Sequence, residues 1–184
     1  MTSKLKTDIL ETVSGSGTIA LTNQLSGMTS ASMPSGSVLQ VVQITSVVQS
    51  TSTSGSDVDL FTAAITPSST SSKILVSTTI FHGKGNDETF YMSRNGTKIA
   101  GVGSGGTQYI SVGSFYNSDN SVARDSATMA SLSYQYLDSP SSTSEVTYKI
   151  GHMSPSSPVF YINRAETAGQ GFGRSTLTLT EIKG

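Results

Sequence analysis

The 184-residue sequence predicts an all-β fold, an antiparallel β-sandwich or jelly roll, on three observations. Apolar and small hydroxyl residues alternate with period two along several short runs. An Asn-Gly pair stands between two such runs, where a tight hairpin turn needs it. Prolines fall in serine-rich gaps between the runs, where loops belong.

Taken in order, Val38 to Val48 is rich in Val and Ile and opens the strands. Lys73 to Phe81 sets Ile74, Val76 and Ile80 on one face and Leu75, Ser77 and Thr79 on the other. Thr89–Ser93 and Lys98–Val102 flank Arg94-Asn95-Gly96-Thr97, whose Asn-Gly tolerates the positive φ angles of a type I′ turn. Thr128 to Leu137 points Ala130, Leu132, Tyr134 and Tyr136 one way, and Ser131, Ser133 and Gln135 the other. Glu145 to Gly151 turns Val146, Tyr148 and Ile150 inward, and Val159 to Ile162 is apolar on both faces. Near the end Leu177 and Leu179 alternate with Thr176, Thr178 and Thr180. Pro67, Pro140, Pro155 and Pro158 mark the gaps. Outside Thr2–Val13, whose pattern fits a short amphipathic helix and an extended strand alike, no helix is predicted. Eight or more short strands in residues 37–184 amount to a sandwich or jelly roll.

Composition narrows the function. Ser and Thr number 35 and 24, so 59 of the residues carry a small hydroxyl. Charged residues make up 12% of the chain, about half the usual share, and the net charge is −1. With 35% hydrophobic residues the chain is not of disordered type. A near-neutral chain without a basic cluster lacks the electrostatic footprint of nucleic-acid binding, so nucleic acid is not an expected partner. Threonine suits a pleated strand while keeping its hydroxyl toward solvent. Low charge and strands apolar on both faces predict a homotrimer, identical copies covering each other. There is no Cys, hence no disulfide framework and no thiolate metal site, which agrees with synthesis in a reducing cytoplasm. Met1 to Val13 has no apolar core of a secretory signal, and no run of apolar residues is long enough to span a bilayer. Membrane insertion is not expected.

The sequence divides near residue 37. Residues 1–36 are polar and small, and from Thr12 to Ser56 no side chain is charged. Such a segment is too poor in large apolar groups for a core of its own. Ordering it costs roughly 1–2 kcal/mol per residue, which contacts with a neighbouring copy or a larger assembly have to offset. Residues 1–36 are therefore expected as an extended anchor or stalk and 37–184 as the head domain.

No constellation in the sequence makes a convincing active site. Gly101-Val102-Gly103-Ser104-Gly105-Gly106 matches a dinucleotide motif by letter, but Thr107 to Val112 after it is strand-like where the motif needs a helix. His82 and His152 are the only histidines, and without Cys they fall short of a zinc set, so both are read as structural, with a two-His site at a trimer axis as the alternative. Serine is abundant, yet no G-x-S-x-G elbow occurs. Asp57/Asp59 and Asp87/Glu88 are paired carboxylates in polar stretches and read as solvated loop charges rather than a glycosidase pair. Asn117-Ser118-Asp119-Asn120 follows Phe115 and Tyr116, and aromatic rings beside amide and carboxylate groups suit a carbohydrate.

Three stretches near the N-terminus carry a resemblance: Ser3 to Val13, Gly17-Thr18-Ile19, and Ser35-Gly36-Ser37-Val38-Leu39-Gln40-Val41-Val42-Gln43. It continues in Ile65-Thr66-Pro67-Ser68-Ser69-Thr70-Ser71-Ser72-Lys73-Ile74-Leu75-Val76, Arg94-Asn95-Gly96-Thr97, Val159-Phe160-Tyr161-Ile162-Asn163-Arg164 and Thr176 to Ile182. Together these resemble the short tail-fibre-like proteins of marine phages, including those of cyanobacteria. The resemblance implies a trimeric head similar to the C1q/TNF jelly roll, with the N-terminal segment as stalk or anchor. It brings no catalytic motif and no cofactor, so the expectation is a non-enzymatic virion protein, made in the host cytoplasm and displayed on the particle surface. On this view Leu5, Ile9, Leu10, Ile19 and Leu21 are the candidate anchor to other virion proteins of tail or capsid. Tyr116, Asn117, Asp119 and Asn120 are the candidate loop for a host surface glycan. Two readings stand side by side: an adhesin that attaches the phage to its host, and a capsid decoration or head-fibre protein with no receptor.

Overall fold

A computed structural model of the chain describes residues 30–52, 57–83, 88–100, 113–115, 128–153, 159–167 and 169–184. The chain divides into two units, Met1–Met33 and Pro34–Gly184. The described part of the first holds a single 3-10 turn, Ser30–Ser32. The candidate anchor residues and the Thr2–Val13 segment lie outside the described residues.

Among the described residues the second unit holds eleven strands: β1 (Val38–Ser46), β2 (Ser50–Ser52), β3 (Val58–Ile65), β4 (Lys73–His82), β5 (Glu88–Arg94), β6 (Thr97–Ile99), β7 (Gly113–Phe115), β8 (Ala130–Asp138), β9 (Val146–Met153), β10 (Phe160–Ile162) and β11 (Ser175–Ile182). All pairings are antiparallel. One sheet, called A here, runs β1–β11–β4 with β8 on the far edge of β4. In it β2 continues the line of β1, and β10 continues the line of β11 along β4. The other sheet, B, runs β3–β9–β5, with β6 and β7 in series on the outer edge of β5. Counted as eight lines in chain order, sheet A pairs the first with the eighth and the third with the sixth. Sheet B pairs the second with the seventh and the fourth with the fifth. That is the pairing of a ribbon rolled up on itself, the predicted jelly roll.

Alternation produces the core directly. Phe61, Ala63 and Ile65 of β3, Phe90 and Met92 of β5, and Val146, Tyr148 and Ile150 of β9 face inward from sheet B. Ile74, Val76 and Ile80 of β4, Phe160 and Ile162 of β10, and Leu177 and Leu179 of β11 meet them from sheet A. Each buried Val, Leu, Ile, Phe or Met side chain contributes about 1.5–3 kcal/mol through its removal from water. Ala130, Leu132, Tyr134 and Tyr136 of β8 point inward as expected but stay half-buried, because β8 is an edge strand. The predicted strand Val38–Val48 ends at Ser46 and resumes as β2.

Two local devices hold the ends. Asn95 and Gly96 both take positive φ, 48° and 83°, which makes the turn between β5 and β6 the expected type I′. The Asn95 amide N–H donates to the Thr147 carbonyl, and its side-chain oxygen accepts from the Thr147 N–H, tying the turn to β9. Asn163, fully buried with φ at 56°, donates from Nδ2 to the carbonyls of Ser46 and Val48 and accepts at Oδ1 from the N–H and hydroxyl of Ser175. It thereby pins the break between β1 and β2 to the start of β11.

Candidate functional site

The candidate receptor residues Tyr116, Asn117, Asp119 and Asn120 lie outside the described residues, as does the glycine-rich Gly101–Gly106. Phe115 ends β7, paired with Glu88 at the start of β5.

His82 and His152 are both fully buried in the core, on opposite sheets. His152 stacks on Phe160 at 3.7 Å between ring centroids, and His82 stacks on the same ring at 6.0 Å and meets Phe90 edge-on at 5.2 Å. Burial, and then the neighbouring His82, push the His152 pKa down from 6.5 to about 4, so the ring is neutral at neutral pH. The pair packs among the aromatic rings of the core. Among the described residues no group of three or more His, Asp or Glu side chains is placed to hold a metal.

Asp57 and Asp59 both stay exposed, as expected of solvated charges, and the loop placement is corrected for Asp59 alone. Asp59 lies within β3, and both are engaged on the outer face of sheet B. Lys98 pairs with Asp57 at 2.8 Å and Lys149 with Asp59 at 2.6 Å. Between them the Tyr91 ring lies flat on Gly151, under the Lys98 ammonium at 4.6 Å from its centroid, and its hydroxyl donates to Asp59. Burial, then the charges of Asp57 and Asp59, raise the Tyr91 pKa well above the usual phenol range. Each acid is paired with a lysine, which ties the start of β3 to β6 and β9.

Charge also stands beside the β5–β6 turn. Arg94 Nη1 donates to both oxygens of the buried Asp138 carboxylate, at 2.8 and 2.9 Å, and the Tyr148 hydroxyl donates to it at 2.7 Å. Glu181 on β11 is buried as well. Burial alone would raise its pKa, yet donors from Ser68 and Gln40 hold it below the ordinary carboxylate value.

The outer face of sheet A is different in kind. Three cross-strand rows run over β1, β11, β4 and β8: Val41–Thr180–Leu75–Leu137, Gln43–Thr178–Ser77–Gln135 and Thr45–Thr176–Thr79–Ser133. None of these side chains is charged; the next row, Ile182 beside Lys73, brings the first charge. Hydroxyls and amides already link neighbouring strands, Gln43 to Thr178 at 2.8 Å and Thr79 to Ser133 at 3.0 Å. Val41 and Leu137, 58% and 48% exposed, cap one end of the grid. The threonine alternation signalled this face in sequence; only the register shows that four strands align their uncharged residues into one surface.

Among the described residues no helix is long and apolar enough to cross a membrane. No family model matches the chain, and no curated protein is similar to it. Among solved structures, the VP2 subviral particle of infectious bursal disease virus is similar over 91% of this chain, at 13% identity and a TM-score of 0.38. The chain spans 42% of that protein's length. The fold assignment rests on the strand pairing given above, not on this likeness.

Proposed function

We propose that the chain is a non-catalytic surface protein of a bacteriophage particle: a jelly-roll homotrimer whose head meets the host and whose first 36 residues fix it to the virion. The observation that carries self-association is the uncharged grid on sheet A, and the number three comes from the sequence resemblance. A surface of Thr, Ser and Gln, bordered by exposed Val41 and Leu137, can be covered by an identical copy without stranding a charge. The ion pairs among the described residues sit on sheet B and at the strand ends, clear of that contact. The virion assignment rests on the sequence resemblance to tail-fibre-like phage proteins.

Sedimentation of the full chain tests the assembly. A trimer is expected at micromolar protein, with more than about 2,000 Å² buried as in obligate interfaces. Thr178→Glu places a carboxylate at the centre of the grid and should release folded monomers. A wild-type monomer at the same concentration overturns the trimer. For attachment, virions lacking the protein should adsorb poorly; normal adsorption, with the protein coating the capsid, would make it a decoration protein.

A further inference from the structure

The segment that joins β10 to β11 forms a small hairpin of its own, and its chemistry is not used by the core. Arg164 and Phe172 stand opposite each other in an antiparallel bridge, flanked by the Gly173 N–H to Asn163 carbonyl bond and the Ala165 N–H to Gln170 carbonyl bond. Directly opposed residues of this kind project from one face. Phe172 is 78% exposed, the most exposed large apolar side chain among the described residues. Its neighbours leave it no alternative. Gly171, at φ 65°, and Gly173 press so close to Met129 and Phe81 that a Cβ at either would collide with those side chains. The backbone is seated on the sheet, and the ring between the two glycines is turned to solvent.

The guanidinium beside it is equally fixed. Arg164 stacks over the Tyr161 ring at 5.2 Å, and it donates from Nε to the Ala165 carbonyl and from Nη2 to the Glu166 carbonyl. The Nη1 edge makes no hydrogen bond among the described residues. Arg174, exposed, adds a second positive charge two residues past Phe172, while the acid of the hairpin, Glu166, keeps one carboxylate oxygen out of solvent. An exposed aromatic ring next to an immobilised arginine edge offers two surfaces at once: an apolar platform for C–H groups and a fork for a carboxylate.

We propose that Tyr161, Arg164 and Phe172, with Arg174, form a binding site for a carboxylate-bearing sugar of a host surface glycan. The inference rests on the attachment reading above and names its ligand class. The pyranose ring lies on Phe172 and its carboxylate meets the Nη1 edge of Arg164. Ordering the guanidinium costs little, since backbone carbonyls already hold it.

The test titrates the full-length protein with oligogalacturonate, and with the neutral galactan oligomer as control, by calorimetry. Binding of the acidic oligomer alone is expected. Phe172→Ala should weaken it by about tenfold or more at an unchanged melting temperature, because the ring is exposed. Arg164→Lys, which keeps the charge and loses the fork, should weaken it as well. Equal binding of both oligomers, no binding of the acidic one at millimolar concentration, or full affinity in Phe172→Ala overturns the site. Adsorption separates this failure from that of the attachment reading. If Phe172→Ala virions adsorb normally while virions without the protein do not, the site is wrong and attachment stands. If virions without the protein adsorb normally, attachment itself fails.

Discussion

His152 lies almost parallel on Phe160, 16° between ring planes, where the two sheets meet. An imidazole there behaves as a flat apolar ring only while it is neutral, since charging it would place a cation in hydrocarbon surroundings.

The sign of the pH dependence follows. The ring titrates near 6.5 when unfolded and near about 4 in the fold, so the unfolded chain binds more protons between those values. The stability contributed by the neutral ring is whole above the unfolded value and is lost as pH falls toward the folded one, up to about 3 kcal/mol. Thermal melts from neutral to acidic pH should show a steep acid limb in the wild type and a shallower one in His152→Phe. Superimposable limbs would remove His152 as the cause.

Arg94→Ala should destabilise the head by about 2–3 kcal/mol, because it leaves the Asp138 carboxylate buried with the Tyr148 hydroxyl as its remaining side-chain donor. Urea unfolding measures it as a lower midpoint at an unchanged slope.

Gly151→Ala should cost about 2–3 kcal/mol, since the new methyl falls inside the Tyr91 ring. The conflict is local, so the same change in a Tyr91→Ala background should cost at least about 1 kcal/mol less. Equal penalties in both backgrounds would place the strain elsewhere.

Asn163 contributes through both its side chain and its backbone, and two substitutions separate the parts. Asn163→Gly keeps the positive φ and loses the side-chain hydrogen bonds to Ser46, Val48 and Ser175, whereas Asn163→Ala loses the bonds and strains the backbone. Alanine should be the more damaging by about 1 kcal/mol, read from chemical unfolding. Equal stabilities would mean that the left-handed conformation relaxes.

The long strands were legible because alternation survives wherever one face is buried: β4, β8, β9 and β11 carry it openly. β3 was not read, because a bulge between Asp59 and Phe61 sets Leu60 beside Phe61 and breaks the period just where two acids suggested a loop. β2 and β7 are too short for a period to show. The side-chain network was hidden for another reason. Arg94 and Asp138, or Asn163 and Ser46, are far apart in the chain, and only the rolled pairing brings them together. In the sequence Phe172 is one aromatic between glycines; only the fold shows that those glycines seat the backbone against Met129 and Phe81.

The collinearity of β10 and β11 has an evolutionary consequence. The chain leaves the edge of β4 after Ile162 and rejoins the same edge at Thr176, so the intervening hairpin begins and ends on one line. Its tip, around Gly169, can change residues or gain length without shifting a single strand register. Under the attachment reading, host range can drift through this short stretch, lineage by lineage, while the sandwich beneath it is inherited intact.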